Sequence, residues 1–172
     1  MCGPWRQGSE GVQEKGFVKS RLCVIAVVLW FITVGGLAWL FVKGWTTPGT
    51  DQRTAIVLSA SERDLILGEM RMLLKAVHGV VTGLSVADPD RQAIQAAAKA
   101  AGMTMAADVN PAVMAKLPLT FKQMGMSIHR DMDALAEAVE RKDTPQQILQ
   151  RLSGMTARCT TCHDMFRLIG KE

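Results

Sequence analysis

The chain contains no tyrosine, and aromatic residues make up only 5% of its 172 positions. All four tryptophans fall within the first 45 residues, so everything beyond them must build its core from Leu, Val, Ile, Met and Ala. Such a core favours helices over a β-sandwich, and no segment reads as a strand. There is no Gly-rich phosphate loop and no Ser-His-Asp arrangement. The pairs Asp131/Asp133 and Glu137/Glu140 read as exposed helix faces rather than catalytic carboxylates, so the expectation is that this protein is not an enzyme. No basic patch is interleaved with aromatics, which leaves nucleic-acid binding without support.

What is present begins with a long apolar run. Leu22 to Val42 carries no charge, about the 20 residues needed to cross a bilayer. Arg21 and Lys43 close it, and Trp39 and Trp45 lie where an interfacial aromatic belt would form. A cleaved signal peptide would have a shorter apolar core, of about 7–15 residues, and a small-residue cleavage site. The run is therefore read as an uncleaved signal-anchor. Arg6, Lys15, Lys19 and Arg21 precede it, which predicts a cytoplasmic N-terminal segment over residues 1–21. The membrane helix spans 22–42, a Gly/Pro-containing linker 43–58, and a soluble domain 59–172 faces the periplasm. The protein is thus expected in a bacterial inner membrane as a single-pass protein. Cys2 would be cytoplasmic and Cys23 in lipid, and neither needs a role.

The soluble domain reads as four helices. The first runs from about Ser61 to Leu84, opened by a Ser59/Glu62 capping box. Ile66, Met70, Leu73, Val77, Val80 and Leu84 form its stripe, with Leu65 and Met72 on a neighbouring one. The second starts at Asp88-Pro89 and stops at Gly102. Its alanine-rich stretch would admit a helix or a flat ligand at close range. A short turn follows Asn110-Pro111. The third covers about Thr120 to Lys142, with Phe121, Met124, Ile128, Leu135 and Val139 inward. The fourth opens with a Thr144/Gln147 capping box and runs to Gly170, placing Ile148, Leu152, Met155, Cys159, Cys162 and Phe166 on one face. Short connections predict an all-α fold, an antiparallel four-helix bundle preceded by one transmembrane helix.

On that last helix Cys159, Thr160, Thr161, Cys162 and His163 spell C-x-x-C-H, the attachment signature of a c-type haem. Residues at i, i+3 and i+4 share a helix face, so two thiols and an imidazole can meet one porphyrin. Structural zinc needs about four ligands, and Cys2 and Cys23 cannot reach this site. A thioredoxin-like pair needs a βαβ context, and a disulfide across two helical residues is geometrically poor. The expected cofactor is one haem c, joined covalently through Cys159 and Cys162, with His163 as an axial ligand.

These features together resemble the class II c-type cytochromes, cytochrome c-prime and its low-spin Met-ligated relatives. The resemblance covers roughly Ser59 to Gly170. It rests on the helix order, on the motif's place nine residues from the end, and on its continuation as His163-Asp-Met-Phe166-Arg167, matching C-x-x-C-H-x-x-[FY]-R. The membrane anchor departs from the soluble members. The resemblance implies a distal iron face turned toward the first helix, with Met70 as the distal ligand and Met72 as the alternative. It also implies that Arg167 stands near the haem, where it could pair with a propionate.

The function expected is a membrane-tethered mono-haem cytochrome carrying electrons in the periplasm to or from respiratory-chain proteins. A gas-binding protein with an open distal face, and a haem-bearing accessory subunit of a membrane complex, are the alternatives. Homodimer and complex subunit both stay open as assemblies. His78 and His129 are read as solvated, Arg158 as an exposed charge, and Lys116 and Lys122 as surface lysines that could guide a partner.

Overall fold

The computed structural model describes residues 10–106 and 110–171, with side chains from residue 21 onward. Cys2 and Arg6 fall outside these, as do the side chains of Lys15 and Lys19. The chain divides into two units, Met1–Trp39 and Leu40–Glu172.

Helix α1 (Glu10–Lys43) begins about three turns before the apolar run. Its 23-residue stretch Arg21–Lys43 contains an 18-residue window with a mean hydropathy of 2.4. The whole stretch gives about 34 Å of helix at 1.5 Å per residue, enough to span a bilayer. The side chains from Leu22 to Trp39 are all exposed, as expected of a lipid-facing helix rather than a protein core.

In the second unit the linker expected over 43–58 is instead a hairpin. Strands β1 (Thr46–Pro48) and β2 (Thr54–Leu58) pair antiparallel, Thr46 opposite Ile56. Gln52 turns the chain with φ 67°. Strand β3 (Phe166–Gly170) then pairs parallel to β2, Ile56 opposite Leu168. The fold is thus mostly helical with a small three-stranded sheet, β1-β2-β3. The all-α expectation is corrected to that extent. The sheet joins the first strands of this unit to its last residues, and Ala55, Ile56 and Leu58 are buried.

Helix α2 (Ala60–Leu84) carries the Ser59/Glu62 capping box, with both reciprocal hydrogen bonds formed. Helix α3 (Arg91–Lys99) is capped by Asp90, two residues later than Asp88. Pro89 thus precedes the cap instead of occupying the first helical turn. Short α4 (Met103–Ala106) and α5 (Pro111–Lys116) follow, the latter capped by Asn110. Helices α6 (Leu119–Glu140) and α7 (Pro145–Met165) complete the set, α7 bearing the Thr144/Gln147 box.

Two cores result. The larger takes Ala76 and Val80 from α2, Ile94 and Ala98 from α3, Met132 and Leu135 from α6, and Ile148, Leu152 and Met155 from α7. The alanine-rich face of α3 meets a helix rather than a flat ligand: a Cβ on Gly79 of α2 would come within 2.9 Å of Ala97. The smaller core gathers Ile56 and Leu58 from β2, Ile66 from α2, Val113 and Leu117 from α5, Phe121 from α6 and Phe166 from β3.

Helix α7 ends five residues earlier than the motif spacing suggested. Phe166 adopts φ −130°, ψ 151°, and its N–H donates to the Cys162 carbonyl. Its ring meets Phe121 edge-on, with centroids 5.5 Å apart. Burial of this ring, together with the β2 ladder, outweighs one more turn of helix.

Candidate functional site

The two cysteines of the motif stand one helical turn apart and face different cores. Cys159 packs against the larger core and Cys162 against the smaller. Between them opens a cavity of about 780 Å³, including its mouth. Ile66, Met70 and Leu73 line it from α2, Met114 and Leu117 from α5, and Phe121, Met124, Gly125, Met126 and Ile128 from α6. Cys159, Cys162 and His163 close it from α7. Gly125 leaves open space where a side chain would stand. The four methionines supply soft, adaptable walls.

Both thiols are free and half-buried. Burial pushes the Cys159 thiol up against the opposing pull of Arg158. Burial and the neighbouring Cys159 push the Cys162 thiol up to about 11. At neutral pH both are therefore protonated and poor nucleophiles, which argues against a catalytic or redox-active pair. Thr160 and Thr161 turn outward, each hydroxyl donating to the Ala157 carbonyl. His163 is exposed on its helix and borders the cavity.

Met70 lines this cavity from α2. Met72 does not. It is 45% exposed and lies on another groove with Leu65, Arg71, Lys75 and Met105. Two residues of helix turn its side chain by about 200° from that of Met70.

A second space of about 720 Å³ borders the first, sharing Met70, Phe121, Cys162 and His163 with it. Its character differs, because Arg53, Arg63 and Arg167 converge there. Arg167 reaches this space from β3 rather than from a continuing helix. Its guanidinium lies 3.3 Å from the Thr50 hydroxyl and 3.6 Å from Asp51.

Several residues expected on the surface are not there. His129 is 1% exposed and also lines the cavity. Its Nδ1 is 2.8 Å from the Ala101 carbonyl and its Nε2 2.8 Å from Glu69. An acceptor at each nitrogen favours the doubly donating imidazolium. Burial lowers its pKa, but the Glu69 and Ala101 hydrogen bonds and the charges of Glu69 and Asp133 outweigh burial and raise it. The signal was available in the sequence, since His129 continues the helical series Phe121, Gly125, His129, Met132, Ala136. Lys122, 6% exposed, donates to the Phe41 carbonyl at 2.7 Å and the Met114 carbonyl at 3.3 Å. Lys116 holds Glu62 at 2.6 Å. Neither lysine is free to guide a partner. Arg158 pairs with Asp131, both side chains about two-fifths exposed, and also borders the cavity, while the half-buried Asp133 accepts from the Met103 N–H. His78 is exposed, as expected.

Among the described residues no group of three or more His, Cys, Asp or Glu is placed to hold a bare metal ion. What these residues bring together is two thiols and an imidazole within five residues of α7, an apolar cavity that Met70 also lines, and a basic margin. Matched against known protein families, curated proteins and solved structures, the chain has no significant counterpart.

Proposed function

We propose that this protein is a membrane-tethered mono-haem c-type cytochrome, a relative of the class II cytochromes, that carries electrons in the periplasm. The observation that carries the reading is the C-x-x-C-H sequence bordering an apolar cavity that Met70 also lines. Haem c, when bound, supplies a one-electron iron couple. Cys159 and Cys162 would anchor it, His163 would be one axial ligand and Met70 the other. A firm second ligand suits electron transfer over gas binding. Helices α2, α3, α6 and α7 would then form the antiparallel four-helix bundle of that class, with the β1-β2-β3 sheet as an addition particular to this chain.

The membrane helix would hold the domain at the bilayer and raise its local concentration for membrane-bound partners. The cytoplasmic N-terminus follows from the basic residues before the span. The periplasmic side agrees with haem c attachment, which bacteria carry out there.

The test is an optical spectrum of the full chain, purified in detergent from cells able to attach haem c, reduced, with and without CO. A low-spin spectrum unmoved by CO supports the electron carrier. A high-spin spectrum that shifts with CO moves the function to gas binding. Absence of covalent haem overturns the proposal.

A further inference from the structure

We propose that Arg53 and Arg63 hold the carboxylate edge of the haem, alongside Arg167. The proposal rests on the haem reading above and deepens it. Three guanidinium groups reach the second space from distant parts of the chain: Arg53 from the β1–β2 turn, Arg63 from the first turn of α2, Arg167 from β3. The space adjoins the apolar cavity along Cys162 and His163, so the combined void is apolar at one end and cationic at the other. A ligand matching it has a flat apolar body with carboxylates along one edge.

The fold does not use all of these donors up: Arg53 is engaged through Nε and Nη2 with Asp51 and through Nη1 with the His163 carbonyl, whereas Arg63 keeps a buried Nε without an acceptor. Asp51 serves both Arg53 and Arg167: it accepts from Arg53 Nη2 at 2.6 Å and lies 3.6 Å from Arg167. One carboxylate thus faces two guanidiniums. Arg63 is less satisfied still. Its Nε is buried without a hydrogen-bond partner, and among the described residues its one ion pair is a loose 3.8 Å contact with exposed Asp64. A buried donor left unpaired is unfavourable, and a carboxylate arriving there would gain a charge-assisted bond. Arg53 also ties the site to the motif, because its Nη1 donates to the His163 carbonyl at 3.2 Å. The hairpin, absent from the helix-only reading of the chain, thereby becomes part of the haem site.

The experiment uses the full chain in detergent, with covalent haem first confirmed by mass. Redox titrations across pH are run on wild type, Arg53→Gln, Arg63→Gln, Arg63→Lys and the remote exposed Arg141→Gln. Losing a nearby cation favours the oxidised iron. At fixed ambient potential the reduced-to-oxidised ratio should therefore fall by roughly threefold or more in each Gln variant, the scale of one screened charge. The pH at which the potential breaks, set by carboxylate titration, should move up. Arg63→Lys should return the ratio toward wild type, and Arg141→Gln should leave it alone. Unchanged ratios and pH profiles in Arg53→Gln and Arg63→Gln, with haem still attached, overturn the arginine assignment while leaving the cytochrome reading intact. No haem on the wild type overturns both.

Discussion

Replacing Glu69 by glutamine removes the charge that faces the buried imidazole of His129 at 2.8 Å and leaves the ring otherwise packed as before. In the wild type the ring's folded pKa lies above its ordinary value near 6.5, because the Glu69 and Ala101 bonds outweigh burial. Stability from this pair is therefore complete below pH 6.5 and is lost as pH rises through the folded pKa. The unfolding free energy should fall by up to about 1.4 kcal/mol per pH unit in that window. In Glu69→Gln the strongest stabiliser of the imidazolium is gone and burial dominates, so the slope should vanish or reverse. At pH 6 the variant should be less stable by about 1–3 kcal/mol, the cost of stripping a charged partner from a buried donor. That corresponds to roughly 4 °C per kcal/mol in Tm. The assay is thermal and urea unfolding followed by circular dichroism from pH 5.5 to 8.5, below the range where the raised thiols titrate. A wild-type stability that climbs across pH 6.5–8, or an unchanged slope in Glu69→Gln, refutes the doubly donating imidazolium.

Met70→Ala should convert the reduced spectrum to a high-spin, CO-sensitive form, whereas Met72→Ala, altering an exposed residue outside the cavity, should leave it alone. Glu62 is held down to about 2, chiefly by the Lys116 bond and then by the Ser59 N–H. A depressed carboxylate contributes above its unfolded pKa, near 4.5, so this contribution should drain away between pH 4.5 and 2. Lys116→Met should flatten acid unfolding in that window. Gly79→Leu forces a side chain against Ala97 where α2 and α3 meet and should cost about 1–3 kcal/mol by urea titration. Lys122→Met strips the donor from the Phe41 and Met114 carbonyls and should quicken protease cleavage near Gly44.

Local signals were legible where one stretch of chain decides the outcome. The capping boxes at Ser59 and Thr144 formed because each needs only residues three apart. The apolar span is a matter of length and charge alone. The helical register of Cys159, Cys162 and His163 likewise follows from spacing, and it set the thiols toward a cavity. Distant pairing was not legible. Thr54–Leu58 is too short for its apolar run to declare a strand, and Phe166–Gly170 looks like one more helical turn until β2 lies beside it. Parallel strands so far apart in sequence leave no periodic trace in either segment. Charged side chains misled for a related reason. His129 and Lys122 sit among polar neighbours in sequence, yet Glu69, Ala101 and Phe41 arrive from other elements to satisfy them.

The sequence by itself determined the mostly helical make-up, the apolar membrane-length helix and the C-x-x-C-H spacing, since each is written in composition or in spacings within a few turns. Only the tertiary structure decided that Met70 rather than Met72 lines the cavity, that a sheet closes the domain, and that Arg53 and Arg63 join Arg167 at its edge. Those outcomes depend on which surfaces meet, and contacts between residues 100 or more positions apart follow from packing of the whole chain rather than from any local pattern.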